Sequence, residues 1–323
     1  MSTRLSALLG LAAAMTAGLA VLPVNAQDFP KSPIELSVSF GAGSAADVTA
    51  RHLSEGIAKR LGVAVPVVNR TGGGGAVSLV HLSQQKPDGY ALAWTSNQIS
   101  TTYHGGQLPF DHTNFTHIAR VSVETPVLAV RADAPWKDLK EMIEYAKANP
   151  EKVRIGNSGA GSHTHFSAVA LFADAGGAKT IDVPFNAAEA TVNLLGGRIE
   201  GAVQLPAAFV SHVKAGTLRI LAAMAADRDP VFPDVPTAKE QGYDVQLELW
   251  RGVSAPKGAP ADVVAKLEKA IGETVASPEF AAAGKTLGFR PAFLAGKDFE
   301  ALIAADDKKV AALMDKLGLK KSK

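Results

Sequence analysis

The residues best suited to chemistry in this 323-residue chain gather in two glycine-rich turns. The first reads Phe40-Gly41-Ala42-Gly43-Ser44-Ala45-Ala46-Asp47. The second reads Ile155-Gly156-Asn157-Ser158-Gly159-Ala160-Gly161-Ser162-His163. Each follows a β-branched run (34–40, 153–155) and precedes a stretch with helical apolar spacing. A strand, a glycine turn and a helix start aim several backbone N–H groups at one point. The helix dipole adds partial positive charge there, so the point favours an anion. Glycine has no Cβ to hold a ligand away from the backbone. Two such points, far apart in sequence, suggest two lobes gripping one small anion between them.

Other chemistries fit these residues less well. Gly41-Ala42-Gly43-Ser44-Ala45-Ala46 matches a dinucleotide fingerprint, but the next strand ends at Asn69 instead of the acid that would hold a ribose. Gly156-Asn157-Ser158-Gly159-Ala160 lacks the last glycine of a nucleophile elbow. His163 lies on the same turn, whereas an elbow takes its histidine from a separate loop. His163 and His165, two apart on a helix, point to different faces and do not share a metal ion easily. His163 therefore reads as a hydrogen-bond donor lining the cleft, with no metal and no cofactor expected. Thr95, Ser96 and Asn97 end the strand at 90–95, and Phe185, Asn186 and Gln204 end strands of the second half. Strand ends are where parallel α/β sheets hold ligands, so these residues join the candidate set. Phe185 fits the core equally well; Trp94 and Trp136 read as packing residues.

The elements that must position these residues alternate along the chain. Strands are expected at 34–40, 63–68, 90–95, 127–130, 180–184, 199–204, 218–224 and 245–253. Helices are expected after each glycine turn and at 76–85, 138–148, 188–195 and 207–214. Residues 261–317 read as mostly helical, with a break near 287–291. Ala46, Ala50, Leu53, Ile57 and Leu61 mark the buried face of the helix behind the first turn, and Ser44-Ala45-Ala46-Asp47 fits a capping box. Alternation of this kind gives an α/β fold with mostly parallel sheets. Lobe 1 is expected from 27–125 plus 250–323, and lobe 2 from 126–249, inserted through two crossing strands.

The ends and the composition set further bounds. Arg4, the apolar run 5–22 and Val24-Asn25-Ala26 read as a signal peptide cleaved after Ala26, leaving Gln27 first. No cysteine is present, so there is no disulfide, no thiolate metal site and no lipid attachment point. The formal charge of +2 is too small to argue for nucleic acid, and Lys320-Lys321-Ser322-Lys323 reads as a solvated tail.

Shorter motifs agree with one another in order. They are Pro87-Asp88-Gly89-Tyr90, Asp234-Val235-Pro236-Thr237 with Gly242, Asn69-Arg70 with Gly72 and Gly74-Gly75, Asn193-Leu194-Leu195-Gly196-Gly197 with Ile199-Glu200-Gly201, Val213-Lys214-Ala215-Gly216 with Leu218-Arg219, and Ala255-Pro256 with Gly258 and Pro260. With them the mature chain resembles, end to end, the periplasmic solute-binding proteins of tripartite tricarboxylate transporters, the Bug-type receptors. The resemblance implies a two-lobed periplasmic-binding-protein fold of type II. It implies a carboxylate held by the loops 41–46 and 156–163, membrane permease subunits as partners, and a periplasmic, monomeric, non-enzymatic protein. A sensor feeding a two-component system and an exported serine hydrolase are the alternatives. There are departures. Thr71 stands for the family's proline. The first turn reads Ala42-Gly43-Ser44 in place of Pro-Gly-Gly. Gln204 replaces an acid able to pair with a ligand amine, which favours di- or tricarboxylates, or an aromatic carboxylate, over amino acids. Arg251 replaces an aromatic residue. It either forks onto a second carboxylate or turns to solvent.

Overall fold

The computed structural model describes residues 29–185 and 187–321. The signal segment 1–26 and Asn186 lie outside the described residues. In chain order the elements are β1 (Glu35–Val38), α1 (Ala45–Leu61), β2 (Val67–Asn69), α2 (Ala76–Ser83), β3 (Ala91–Ser96), α3 (Gln98–His104), β4 (Phe115–Glu124), β5 (Val127–Arg131), α4 (Leu139–Ala148), β6 (Arg154–Asn157) and α5 (His163–Asp174). They continue as β7 (Ile181–Pro184), α6 (Ala187–Leu195), β8 (Gly201–Gln204), α7 (Val210–Lys214), β9 (Leu218–Ala223), β10 (Leu249–Pro256), α8 (Ala261–Val275), α9 (Pro278–Leu287), β11 (Arg290–Ala295) and α10 (Gly296–Lys316).

These form two sheets, ordered β11-β4-β10-β3-β1-β2 and β7-β6-β8-β5-β9, each flanked by helices. The parallel pairs, β2-β1-β3 and β7-β6-β8, are those linked by crossover helices, as the alternation dictates. The antiparallel pairs involve β10 and β5, the strands by which the chain enters each sheet, and β11 and β4. The result is two mixed sheets in a two-lobed periplasmic-binding-protein fold. The chain passes between the sheets at Thr125-Pro126 and again between β9 and β10.

Each lobe has its own core. Ala46, Ala50, Leu53 and Ile57 of α1 pack on Leu36, Val38, Trp94 and Ile118 in the first. Leu139, Met142 and Ile143 of α4 pack on Val130, Ile155 and Val203 in the second. Trp94 and Trp136 are core residues, as their apolar settings suggested.

Several elements differ from the sequence expectation. The break near 287–291 is the turn into β11, which extends the first sheet beside β4. The return strand begins at Leu249 and runs to Pro256, because Val245 and Leu247 before it pack on the core of the second lobe. The stretch 207–214 splits into a 3₁₀ turn at Pro206–Ala208 and the short α7. Two elements had no sequence expectation at all. In α3, Gln98, Ser100, Thr101 and Thr102 are buried, so no apolar stripe betrays it. In β4, His117 and Glu124 occupy buried positions of a central strand and spoil its alternation. Finally, α10 does not stay on lobe 1. Phe299 and Ile303 pack there, while Val310 and Met314 pack on Phe166 of α5 in lobe 2.

Candidate functional site

The two helix starts are built alike. Ser44 caps α1, its Oγ accepting from the Asp47 N–H at 3.2 Å. Ser162 caps α5, its Oγ accepting from the His165 N–H at 3.2 Å. The Asp47 side chain folds back, as a capping box requires, but accepts from the Gly43 N–H rather than that of Ser44. It also takes a bidentate fork from Arg51 and a bond from Asn69 Nδ2. Burial works to raise the Asp47 carboxyl, yet the bonds from Arg51, Gly43 and Asn69 outweigh it and hold the group below its ordinary range. The first intrahelical bonds are Val48 to Ser44 and Phe166 to Ser162. The N–H groups of Ala45 and Ala46, and of His163 and Thr164, precede them and have no protein acceptor among the described residues.

Ala45, Ala46, His163 and Thr164 all line one small chamber between the lobes, about 20 Å³ in volume. Phe40, Ser44, Ala45, Ala46, Ser96 and Gln98 line it from lobe 1, and Ser158, Ser162, His163, Thr164 and Gln204 from lobe 2. Leu205, Leu249 and Arg251 complete the wall. The lobes touch at its rim. Thr101 Oγ1 donates to the Gly161 carbonyl at 2.7 Å. Gly74, at φ 65°, nests so closely that a Cβ there would meet the Ala160 carbonyl oxygen at 2.7 Å. A side chain at Gly74 would prop the lobes apart.

The polar side chains of the chamber are partly spent on each other. The Ser158 hydroxyl donates to Gln204 Oε1 at 2.8 Å, and the Ser158 N–H goes to Thr164 Oγ1. The donor left over is Gln204 Nε2, which is buried without a partner. His163 Nε2 bonds the Leu247 carbonyl at 2.9 Å, leaving Nδ1 buried and unpartnered. Burial holds the His163 imidazole below its usual value, against the Leu247 bond and the charge of Asp306, so it is neutral. Ser158 and His163 are therefore not bonded as nucleophile and base. His165 turns elsewhere, its Nδ1 accepting from the Gly161 N–H.

Arg251 neither turns to solvent nor waits with an unpaired charge. Its guanidinium lines the chamber and is held by the Glu124 carboxylate through Nε and Nη2, with both side chains buried. Of the two orientations expected for Arg251, the one found is toward the chamber, with Glu124 already beside the guanidinium.

Of the remaining candidates, Gly41, Gly159 and Phe185 line an adjoining cavity with Thr71, Gly72, Gly73, Gly74 and Gly75. Phe40 and Ser158 border both spaces. Ala42 and Gly43 lie behind the first helix start. Gly156 packs against Ile199 and Phe185, and Asn157 Oδ1 braces the Gly159 N–H from a buried position. Gly161 serves the lobe contact. Thr95 points away from the chamber, because strand alternation sends Ser96 in and its strand neighbour out, and Asn97, past the strand end in a helical conformation, is taken up by other partners. Thr95 bonds Ser254 and the Gly252 carbonyl; Asn97 bonds Asp306 and the Trp250 N–H. Sequence reasoning missed Gln98, whose Nε2 donates to Ser39 Oγ at 2.7 Å, and Glu124. The signal for Glu124 was there. A lone acid in the apolar strand run ending Val121-Ser122-Val123-Glu124 needs a buried cation, and Arg251 is the matching charge in a second apolar strand.

Comparison with known proteins finds relatives along most of the chain. Residues 49–319 match the family described as the tripartite tricarboxylate transporter family receptor. A UPF0065 protein encoded in the gbd 5′ region of Cupriavidus necator is 32% identical over 97% of this chain and 97% of its own length. The periplasmic binding protein BugD superposes with a TM-score of 0.86 at 29% identity, covering 91% of this chain and 100% of that one. MatC from Rhodopseudomonas palustris, solved with bound malate, superposes with a TM-score of 0.79 at 25% identity, covering 90% of this chain and 98% of that one.

Proposed function

The chain belongs to the tripartite tricarboxylate transporter receptor family, and from that premise we propose that it captures a small organic carboxylate between its lobes for delivery to membrane permease subunits. One observation carries the reading. Four unpaired amides at two facing helix starts, with Gln204 Nε2 beside them, offer donors and no formal negative charge to one chamber. A carboxylate satisfies these groups, and the low polarizability of the buried surroundings strengthens each bond. The malate held by MatC supports the same class of ligand.

The two passages between sheets, near residues 124–127 and 249–252, act as the hinge. A ligand bonded to both helix starts makes its full set of contacts only in the closed form, so binding shifts the population toward closure. The permease subunits then distinguish loaded from empty receptor by shape. The protein works in the periplasm as a monomer, with Gln27 as first residue of the mature chain. Mass spectrometry of periplasmic extract checks that end; an intact Met1 on cytoplasmic protein contradicts it.

A thermal-shift screen of organic acids, amino acids and sugars tests the function. A carboxylate at 100 times its Kd is expected to add about 2.7 kcal/mol of stability. A panel in which no carboxylate stabilises the protein, while a neutral or cationic solute does, contradicts the proposal.

A further inference from the structure

Glu124 ends β4 and Arg251 lies near the start of β10, so the pair spans the two strands by which the chain leaves and re-enters lobe 1. Their side chains are 0% and 3% exposed. Glu124 takes Nε and Nη2 of the guanidinium, the latter at 3.4 Å from Oε2. Arg251 borders the chamber and Glu124 stands behind it. The cation that a ligand meets is thus already neutralised. His163 is neutral, and the serines, Gln98 and Gln204 carry no charge. What remains is the pair of helix starts, each worth about half a unit of positive charge. That sum matches one carboxylate. A second carboxylate at Arg251 would share a single cation with Glu124 among buried side chains, and two anions so placed do not both stay ionised.

We propose that Glu124 sets how many charges the chamber accepts: one carboxylate binds with Glu124 ionised, and a second enters only together with a proton that Glu124 takes up from solvent. The inference rests on the carboxylate reading above. The proton ends on a Glu124 carboxylate oxygen, Arg251 transfers its pairing to the ligand, and no ligand bond changes. Glu124 acts through Arg251 as a positioning residue. Its surroundings suit the role. Burial is the largest influence and raises the carboxyl above its ordinary value; Arg251 opposes this, and the buried Asp229 adds to it. On the β11 side, Arg290 is held by Glu248. On β10 the residue opposite Glu124 is Leu249. From α5, His163 faces Arg251 without charge. Arg251 is the group that keeps Glu124 ionised, so a ligand that claims Arg251 tips Glu124 to its protonated form.

Titration calorimetry tests this on the wild-type mature protein. The probes are succinate and adipate beside their half-amides, succinamate and adipamate, near pH 7 in buffers of low and high ionisation enthalpy. The expected result is about one proton taken up per dicarboxylate and none per half-amide. The dicarboxylate Kd should rise about tenfold per pH unit above neutrality while that of the half-amide stays flat. Carbon-13 shifts of carboxyl-labelled dicarboxylate should show both ligand carboxylates ionised in the complex. Glu124→Gln should abolish the uptake and the pH slope. Should that variant fail to fold, with Arg251 left unpaired inside, the wild-type buffer series and the carbon-13 shifts decide alone. Dicarboxylate binding without proton uptake, a proton found on the ligand, equal uptake with the half-amides, or half-amides that bind where dicarboxylates fail at every pH from 5 to 8 would each overturn the role of Glu124. Failure of all four probes and of every acid in the screen would instead overturn the receptor reading itself.

Discussion

Gln204 is the residue whose chemistry the structure changes most. Its Oε1 accepts from Ser158 and its Nε2 is buried without an acceptor, so the amide, rather than the serine hydroxyl, is the donor a carboxylate would meet. Gln204→Ala is expected to weaken carboxylate binding by about 1.5–3 kcal/mol, the range for a bond to a charged acceptor. Ser158→Ala should cost less, since it acts through Gln204; calorimetry that ranks them the other way contradicts this assignment. A second residue governs acid stability. His117 is buried in lobe 1, bonded to Ser254 and the His112 carbonyl, and desolvation lowers its imidazole from 6.5 to about 4. Its folded value lies below its unfolded one, so the unfolded chain binds the extra proton in between. The stability it contributes is therefore complete above about pH 6.5 and lost as pH falls toward 4, a change of about 3 kcal/mol. Urea denaturation across that window should show the slope, and His117→Gln should flatten it. Residue types were legible in the sequence where a turn motif fixed them, as at Ser44 and Ser162. They were not legible where the partner was distant, as Glu124 is from Arg251, because pairing across strands leaves no local pattern.

Among the elements, α1 and α5 were readable because glycine turn, capping serine and apolar spacing all gave the same answer. The strand β4 and the helix α3 were not, because their buried faces carry His117, Glu124, Gln98 and Thr101, whose partners Ser254, Arg251, Ser39 and Gly161 are distant in sequence. The register of β3 was the other loss. Thr95, Ser96 and Asn97 read alike in sequence, and alternation alone decides that Ser96 enters the chamber. Thr101 gives α3 its function, since its hydroxyl reaches Gly161 across the cleft. Thr101→Val should remove that bond from the closed form alone. Carboxylate affinity is expected to fall by about 1 kcal/mol with little change in denaturant stability. Equal losses in both would mean that Thr101 supports lobe 1 rather than closure.

At the scale of the molecule, the account is of two lobes joined by crossing strands and strapped by α10, whose Val310 and Met314 lie on Phe166 of lobe 2. Met314→Ala removes part of that strap. It should cost about 2–3 kcal/mol of stability, and X-ray scattering should show a larger radius of gyration for the unliganded protein. An unchanged radius would leave α10 a packing helix and nothing more. The central claim is that one ligand carboxylate sits between the starts of α1 and α5. A high-resolution crystal structure with the tightest acid from the screen tests it most directly. The account predicts carboxylate oxygens, or a water bound to them, about 3 Å from amides of both pairs, Ala45 and Ala46 on one side and His163 and Thr164 on the other. A ligand bound in the closed protein with its carboxylate away from both helix starts would contradict it.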